Sequence, residues 1–308
     1  MKPVLFASGL GKSPDRAENM RALYEAYPGE KVFVSGENVS IEAQSGRYGL
    51  MVIDVFPVVS PGKTIMVWHA IQGGKYIGLD QKGTYYRKEY ADLIDFIVAA
   101  GRGGVEMFHR CTGVPEERIL NLGMPRTDRY RSFVRPVKDK KLYLFVPTFR
   151  GARDEPMPEI DWHAIDSLLE DDEILMVKPH PYGSQFDIRG CRRIFEIPKM
   201  APSVMYLYEA DVVITDYSSI IFDGYLLGKP AVLFEKRKGY AERRGMYMKY
   251  PDQYCSRYAD NETDLVKLIR SADRLTKVER DCVDYVADMC DGQSCERICR
   301  LIMEVNEG

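Results

Sequence analysis

The sequence shows no large excess of charge of either sign, no export signal, no long apolar run and none of the common nucleotide-loop signatures, and each gap bears on a class of function. Its 43 Lys and Arg against 46 Asp and Glu leave a formal charge of −3, which excludes a generally basic nucleic-acid binder. The stretch Met1–Gly11 holds one lysine and a short apolar run, Val4–Ala7, well below what a secretory signal requires. A membrane span needs about 20 apolar residues. The best runs are broken, Val52–Val59 by Asp54 and Pro57 and Val212–Phe222 by Asp216. Neither G-x-G-x-x-G nor a Walker loop occurs, so dinucleotide-oxidoreductase and P-loop readings lose their main support. Cysteine is sparse and odd in number, at seven, in a chain too long for a disulfide scaffold, which favours a reducing compartment. Cys295 and Cys299 share a helix face, but no paired C-x-x-C units or nearby histidine complete a zinc site. EF-hand and H-E-x-x-H elements are also missing. The expectation is a cytoplasmic protein with no metal, no cofactor and no nucleic-acid partner.

What is present is a globular composition, 45% hydrophobic and 29% charged over 308 residues, enough for about two domains. Short β-branched runs alternate with helix-like stretches, the pattern of parallel sheets covered by helices. The fold class is therefore α/β. Strands are expected at Val4–Ala7, Lys31–Ser35, Leu50–Ile53, Thr64–Trp68 and Phe96–Ala99, with helices at Asp15–Ala26, Val105–Thr112 and Arg126–Phe133. The charged stretch Val134–Lys141, with Pro136, reads as an exposed linker, dividing the chain into domains 1–135 and 136–308. Alternation then restarts with strands at Leu142–Val146, Ile174–Val177, Val212–Thr215 and Ala231–Phe234. Helices are expected between them at Trp162–Leu169, Ser203–Tyr208 and Ser218–Leu227. The tail Glu262–Glu307 reads as two or three helices, which could pack back across the first domain.

Chemistry concentrates where apolar strands stop. The run Val212–Thr215 ends at Asp216-Tyr217-Ser218-Ser219 and opens an apolar helix containing Asp223. Ligands of open α/β sheets bind at such strand ends, and a helix start bearing serines attracts an anion such as a diphosphate. The simpler reading is that Ser218 or Ser219 only caps the helix. Lys178-Pro179-His180-Pro181 follows another strand, the prolines holding the backbone extended and aiming a cation and an imidazole outward; a loop histidine without a role is the alternative. His69 stands at a strand end beside Trp68, either a general base or a packed core residue. His109 and His163 fall in expected amphipathic helices and read as surface residues.

Basic residues cluster at Arg126, Arg129, Arg131, Arg135, Lys138, Lys140, Lys141, Arg150 and Arg153, a local excess suited to an anionic ligand. Arg126 and Arg150 sit just beyond apolar strands and are the better phosphate candidates. Lys138, Lys140 and Lys141 read as solvated linker charges, and Lys236, Arg237, Lys238, Arg243 and Arg244 as an exposed helix face.

Taken in order, Trp68-His69, Gly123-Met124-Pro125-Arg126-Thr127-Asp128, Pro147-Thr148-Phe149-Arg150, Lys178-Pro179-His180-Pro181, Thr215-Asp216-Tyr217-Ser218-Ser219 with Phe222-Asp223, Gly228-Lys229-Pro230 and Asp291-Gly292-Gln293-Ser294 resemble the CDP-glycerol glycerophosphotransferase family of teichoic-acid and capsule phospho-polyol transferases. The resemblance runs from about Thr64 to Ile302. It implies two Rossmann-like domains of GT-B type facing across a cleft, an acceptor-side N-terminal domain and a C-terminal domain holding the donor nucleotide. It further implies transfer of a phospho-polyol from a CDP-alcohol to a hydroxyl of a glycan or lipid-linked glycan, with release of CMP, at the inner face of the cell membrane. The family roles map His69 to the base and His180, Ser218 and Ser219 to the donor diphosphate, with Lys178, Thr215, Asp216, Asp223 and Arg126 or Arg150 nearby. After Trp-His the chain departs from the family's usual glycine and Pro-Leu-Lys, running Ala70-Ile71-Gln72-Gly73-Gly74-Lys75, which leaves the acceptor open. The family's large polymerases carry additional N-terminal sequence, whereas this sequence begins almost at once with its first strand, so the resemblance implies single transfer more securely than processive polymerisation. A sugar transferase using a nucleotide sugar and a silent binding module are the rival readings, since a scaffold of this type does not choose its chemistry.

Overall fold

A computed structural model describes residues 2–9, 17–54, 58–80, 88–134, 137–148, 159–181, 183, 185–236 and 238–308. The chain divides into two compact units, Met1–Ser132 with Asp284–Gly308, and Phe133–Val283.

In the first unit the chain runs β1 (Val4–Ser8), α1 (Glu18–Ala26), β2 (Lys31–Ser35), α2 (Asn38–Gln44), β3 (Leu50–Ile53), β4 (Lys63–Val67), β5 (Phe96–Ala99), α3 (Arg102–Thr112) and β6 (Ile119–Asn121). All six strands are parallel, in the order β2-β1-β3-β4-β5-β6. Every residue of β1 and β3 is buried, because parallel sheets are covered on both faces and their strands are apolar throughout rather than alternating. The order in which strands are added reverses between β1 and β3. There the buried Asp54 accepts the Ser8 hydroxyl at 2.7 Å and the Gly9 N–H at 3.2 Å, tying the two strand ends together.

The second unit runs β7 (Lys141–Phe145), α4 (Trp162–Leu168), β8 (Glu173–Val177), β9 (Ile194–Glu196), α5 (Ser203–Glu209), β10 (Val212–Thr215), α6 (Ile220–Leu226), β11 (Ala231–Phe234), α7 (Tyr240–Arg244), β12 (Tyr258–Ala259) and α8 (Glu262–Ser271). Its parallel sheet has the order β12-β11-β10-β7-β8-β9, the doubly wound Rossmann arrangement with its switch point between β7 and β10. One face packs Tyr143, Phe145, Val177, Ile214 and Phe234 against Trp162 and Ile165 of α4 and Leu265 and Ile269 of α8. Burying each such side chain contributes about 1.5–3 kcal/mol.

Helix α9 (Lys277–Val286) carries the chain back, and α10 (Ser294–Glu307) joins the first unit. Its Ile298, Cys299, Ile302 and Val305, at helical spacing, complete one face of the first sheet together with Met20 and Leu23 of α1, against Val4, Phe6, Leu50, Val52, Ile65 and Val67. The expected helix Arg126–Phe133 is instead a 3-10 helix over Pro125–Ser132. The short edge strands β6, β9 and β12 and the helix α2 were not expected from the sequence. No helix among the described residues is long and apolar enough to cross a membrane.

Candidate active site

Parallel strands deliver their loops to one edge. In the second unit, β8, β7 and β10 are adjacent, so the loops after β8 and β10 leave the same edge two strand spacings apart, about 10 Å. His180 follows β8, and Ser218 and Ser219 follow β10.

At the switch point the polar groups of β10 are spent on β7. The fully buried Thr215 donates its hydroxyl to the Val146 carbonyl at 2.6 Å, and Asp216 accepts the N–H of Thr148 at 2.7 Å and of Tyr217 at 2.6 Å. These bonds fix how the two strand ends meet. Beneath them Tyr217 packs against Tyr240 and Tyr250, ring centroids 4.5 and 4.7 Å away, and the Tyr250 hydroxyl lies 3.5 Å from the Asp216 carbonyl. Burial pushes the Tyr250 phenol far above its ordinary range, so it is a neutral donor.

Ser218 and Ser219 emerge partly exposed. Ser219 stands at the N-cap position of α6, but its side chain makes no capping bond; the capping reading therefore does not account for it. Asp223, in the first turn of α6, is 1% exposed.

Lys178 is not aimed outward as its strand-end position had predicted. It is 1% exposed and its ammonium donates to the carbonyls of Lys199 at 2.7 Å and Pro179 at 3.1 Å. A buried cation needs such acceptors, and taking them ties the loop after β8 to the segment after β9. His180, two residues on, stays partly exposed.

The first unit presents His69 just past β4, its ring 4.5 Å from that of Trp68 and partly exposed. Arg126, 8% exposed, turns its guanidinium to the His69 carbonyl at 2.6 Å. Its backbone N–H donates to Oδ1 of Asn19, whose Nδ2 reaches the Trp68 carbonyl at 2.8 Å. Asn19, fully buried on α1, carries no sequence signal that would single it out.

The two remaining motifs of this unit interlock. Asp128 accepts the N–H groups of Ser294 at 2.9 Å and Cys295 at 2.7 Å, capping α10. Gly123, at φ +94°, passes so close that a β-carbon would lie 2.3 Å from the Met289 carbonyl and the Ser294 hydroxyl. Gly292, at φ +90°, likewise leaves room for Arg131. Asp291 holds Arg297 through both oxygens, at 2.8 and 2.9 Å, and this pairing brings its carboxyl down to about 2. His109 and His163 are not near these loops in sequence, and each lies in a helix as expected. Arg135, Phe149, Arg150, Arg153 and Arg237 lie outside the described residues, as do Asp15 and Pro136.

Two doubly wound parallel sheets with polar loops at their carboxyl edges define a protein of the Rossmann-like class. The chain belongs to the CDP-Glycerol:Poly(glycerophosphate) glycerophosphotransferase family, whose model matches residues 51–304. It is 26% identical over 290 residues to a teichoic acid poly(ribitol-phosphate) polymerase of Bacillus spizizenii, covering 81% of this chain and 45% of the relative. It is 27% identical to a teichoic acid glycerol-phosphate primase of Bacillus subtilis, covering 70% of this chain and 62% of the relative. The chain thus spans less than two thirds of the length of either. Among solved structures, the wall teichoic acid polymerase TagF superposes with a TM-score of 0.77 at 21% identity, over 99% of this chain and 89% of that one, a likeness of fold.

Proposed function

We propose that the chain transfers a phospho-polyol from a CDP-alcohol to a hydroxyl of a cell-surface glycan or teichoic-acid precursor and releases CMP. The observation that carries the reading is the family match across residues 51–304 on a sheet whose switch point is flanked by His180 and by two partly exposed serines. Teichoic-acid polymerases and primases among the relatives, and a TagF structure soaked with CDPG, support the same donor class.

In this reading the acceptor oxygen attacks the phosphorus that bears the polyol, in line with the departing CMP. The phosphoanhydride bond breaks, a phosphodiester forms, and the acceptor's proton passes to His69. Positioning and charge stabilisation dominate phosphoryl transfer. His180, Ser218 and Ser219 are the groups assigned to the diphosphate oxygens, joined by Arg150. Thr215, Asp216 and the buried Lys178 act by holding those loops, Asp223 from within α6, and Arg126 by holding the turn of His69. A lipid-linked acceptor would bring the protein to the inner face of the membrane as a peripheral partner.

The test is incubation with a panel of CDP-alcohols, nucleotide sugars and glycan acceptors, read by mass spectrometry. Release of CMP with transfer of the phospho-polyol is expected. Release of a nucleoside diphosphate from a nucleotide sugar would replace the reading with sugar transfer, and saturable binding without turnover would leave a binding module. His69→Ala is expected to lower turnover by about 10²–10⁴-fold, the usual contribution of a general base, while the affinity for the CDP-alcohol is retained.

A further inference from the structure

Three consecutive carbonyls just past β4 are each taken by a side chain of the first unit. Asn19 Nδ2 donates to Trp68 O at 2.8 Å, Arg126 Nη1 to His69 O at 2.6 Å, and Gln72 Nε2 to Ala70 O at 2.6 Å. All three donors are buried, at 0%, 8% and 6% exposure. The two carboxamides use their oxygens as well: Asn19 Oδ1 accepts the Arg126 N–H at 3.1 Å, and Gln72 Oε1 accepts the Ala100 N–H at 3.2 Å. An amide that accepts at one atom and donates at the other has only one satisfied orientation, so each carboxamide is a fixed bridge. Asn19 joins the turn to the loop of Gly123–Asp128, and Gln72 joins it to the end of β5.

A turn that leaves a strand edge commonly leaves its carbonyls to water. Here the backbone on both sides of His69 is held, and only the imidazole's own torsions remain to be set. We infer that Asn19, Arg126 and Gln72 form a clamp that positions His69 for proton transfer. They act through the backbone of the turn and are positioning residues. This inference rests on the reading of His69 as the base, and it deepens that reading by assigning the base its supports.

Kinetics with CDP-glycerol and an acceptor, combined with 15N-histidine NMR of the full chain, test it. Asn19→Ala and Gln72→Glu are each expected to lower kcat by roughly 10²-fold, the cost of a misplacement of about 1 Å, with KM for CDP-glycerol little changed. The His69 side-chain resonance, identified by its loss in His69→Ala, is expected to shift in both variants. In a His69→Ala background neither substitution lowers the residual turnover further. Gln72→Glu keeps the side chain's length and its acceptor toward Ala100, so it carries the test if Asn19→Ala does not fold. Unchanged kcat in folded variants, or an equal loss with and without His69, would overturn the clamp. Full activity of His69→Ala would instead overturn the reading of His69 as the base, and the clamp's role in proton transfer with it.

Discussion

At the scale of single residues, the sequence identified polar groups at strand ends but not which way each would turn. Lys178 and His180 lie two apart, a spacing that on extended backbone puts both side chains on one side, yet Lys178 is buried and His180 partly exposed. Burial then decides the outcome for the lysine, whose ammonium finds two carbonyls inside. The buried Glu173 shows the same economy. Burial acts to raise its carboxyl, but the Arg270 guanidinium, the Glu170 N–H and the Tyr143 hydroxyl outweigh it and bring it down to about 2. A folded value below the unfolded carboxylate value of about 4.3 means that its stabilisation is complete above that pH and is lost as pH falls toward about 2. Urea unfolding followed across this range is expected to lose stability in wild type, and Glu173→Gln is expected to flatten that acid limb while lowering stability at neutral pH.

At the scale of elements, long apolar runs were legible and short ones were not. Strands β3, β5, β10 and β11 fall where β-branched runs predicted them, because strands buried on both faces must be apolar throughout. The half-buried edge strand β2 also falls at its expected bounds, on the run Val32-Phe33-Val34. Strands β6, β9 and β12 have three, three and two residues, too few for any periodicity to register. The segment Pro125–Ser132 departs from its expected α-helix because it meets two tertiary demands, the Arg126 N–H on Asn19 and the Asp128 carboxylate on α10. Since Asp128 satisfies two otherwise orphaned N–H groups of α10, Asp128→Ala is expected to cost about 0.5–2 kcal/mol, read as a lowered Tm. The motif Gly123–Asp128 thus serves to seat the C-terminal helix.

At the scale of the whole molecule, each unit winds a parallel sheet outward from a switch point and bolts that point with an aspartate. Asp54 joins β1 to β3, and Asp216 joins β10 to β7. The repetition follows from topology, since two strands whose chains depart in opposite directions share no connecting loop to hold their ends together. A donor that binds only the folded protein stabilises it by mass action. CDP-glycerol at about 100 times its Kd is therefore expected to add about 2.7 kcal/mol to the unfolding free energy, seen as a concentration-dependent rise in Tm; no shift at any concentration would count against this donor.

The sequence by itself determined the class of the fold, the family and the edge of the second sheet where polar residues gather, because those depend on local runs and on an ordered set of short motifs. Tertiary structure alone decided which of those polar groups face solvent and which are consumed in holding loops. Asn19, Gln72 and the inward turn of Lys178 gain their roles from partners far away in the chain or across a turn. Hydrogen bonds of that kind depend on where the backbone brings acceptors, which no spacing of residues encodes.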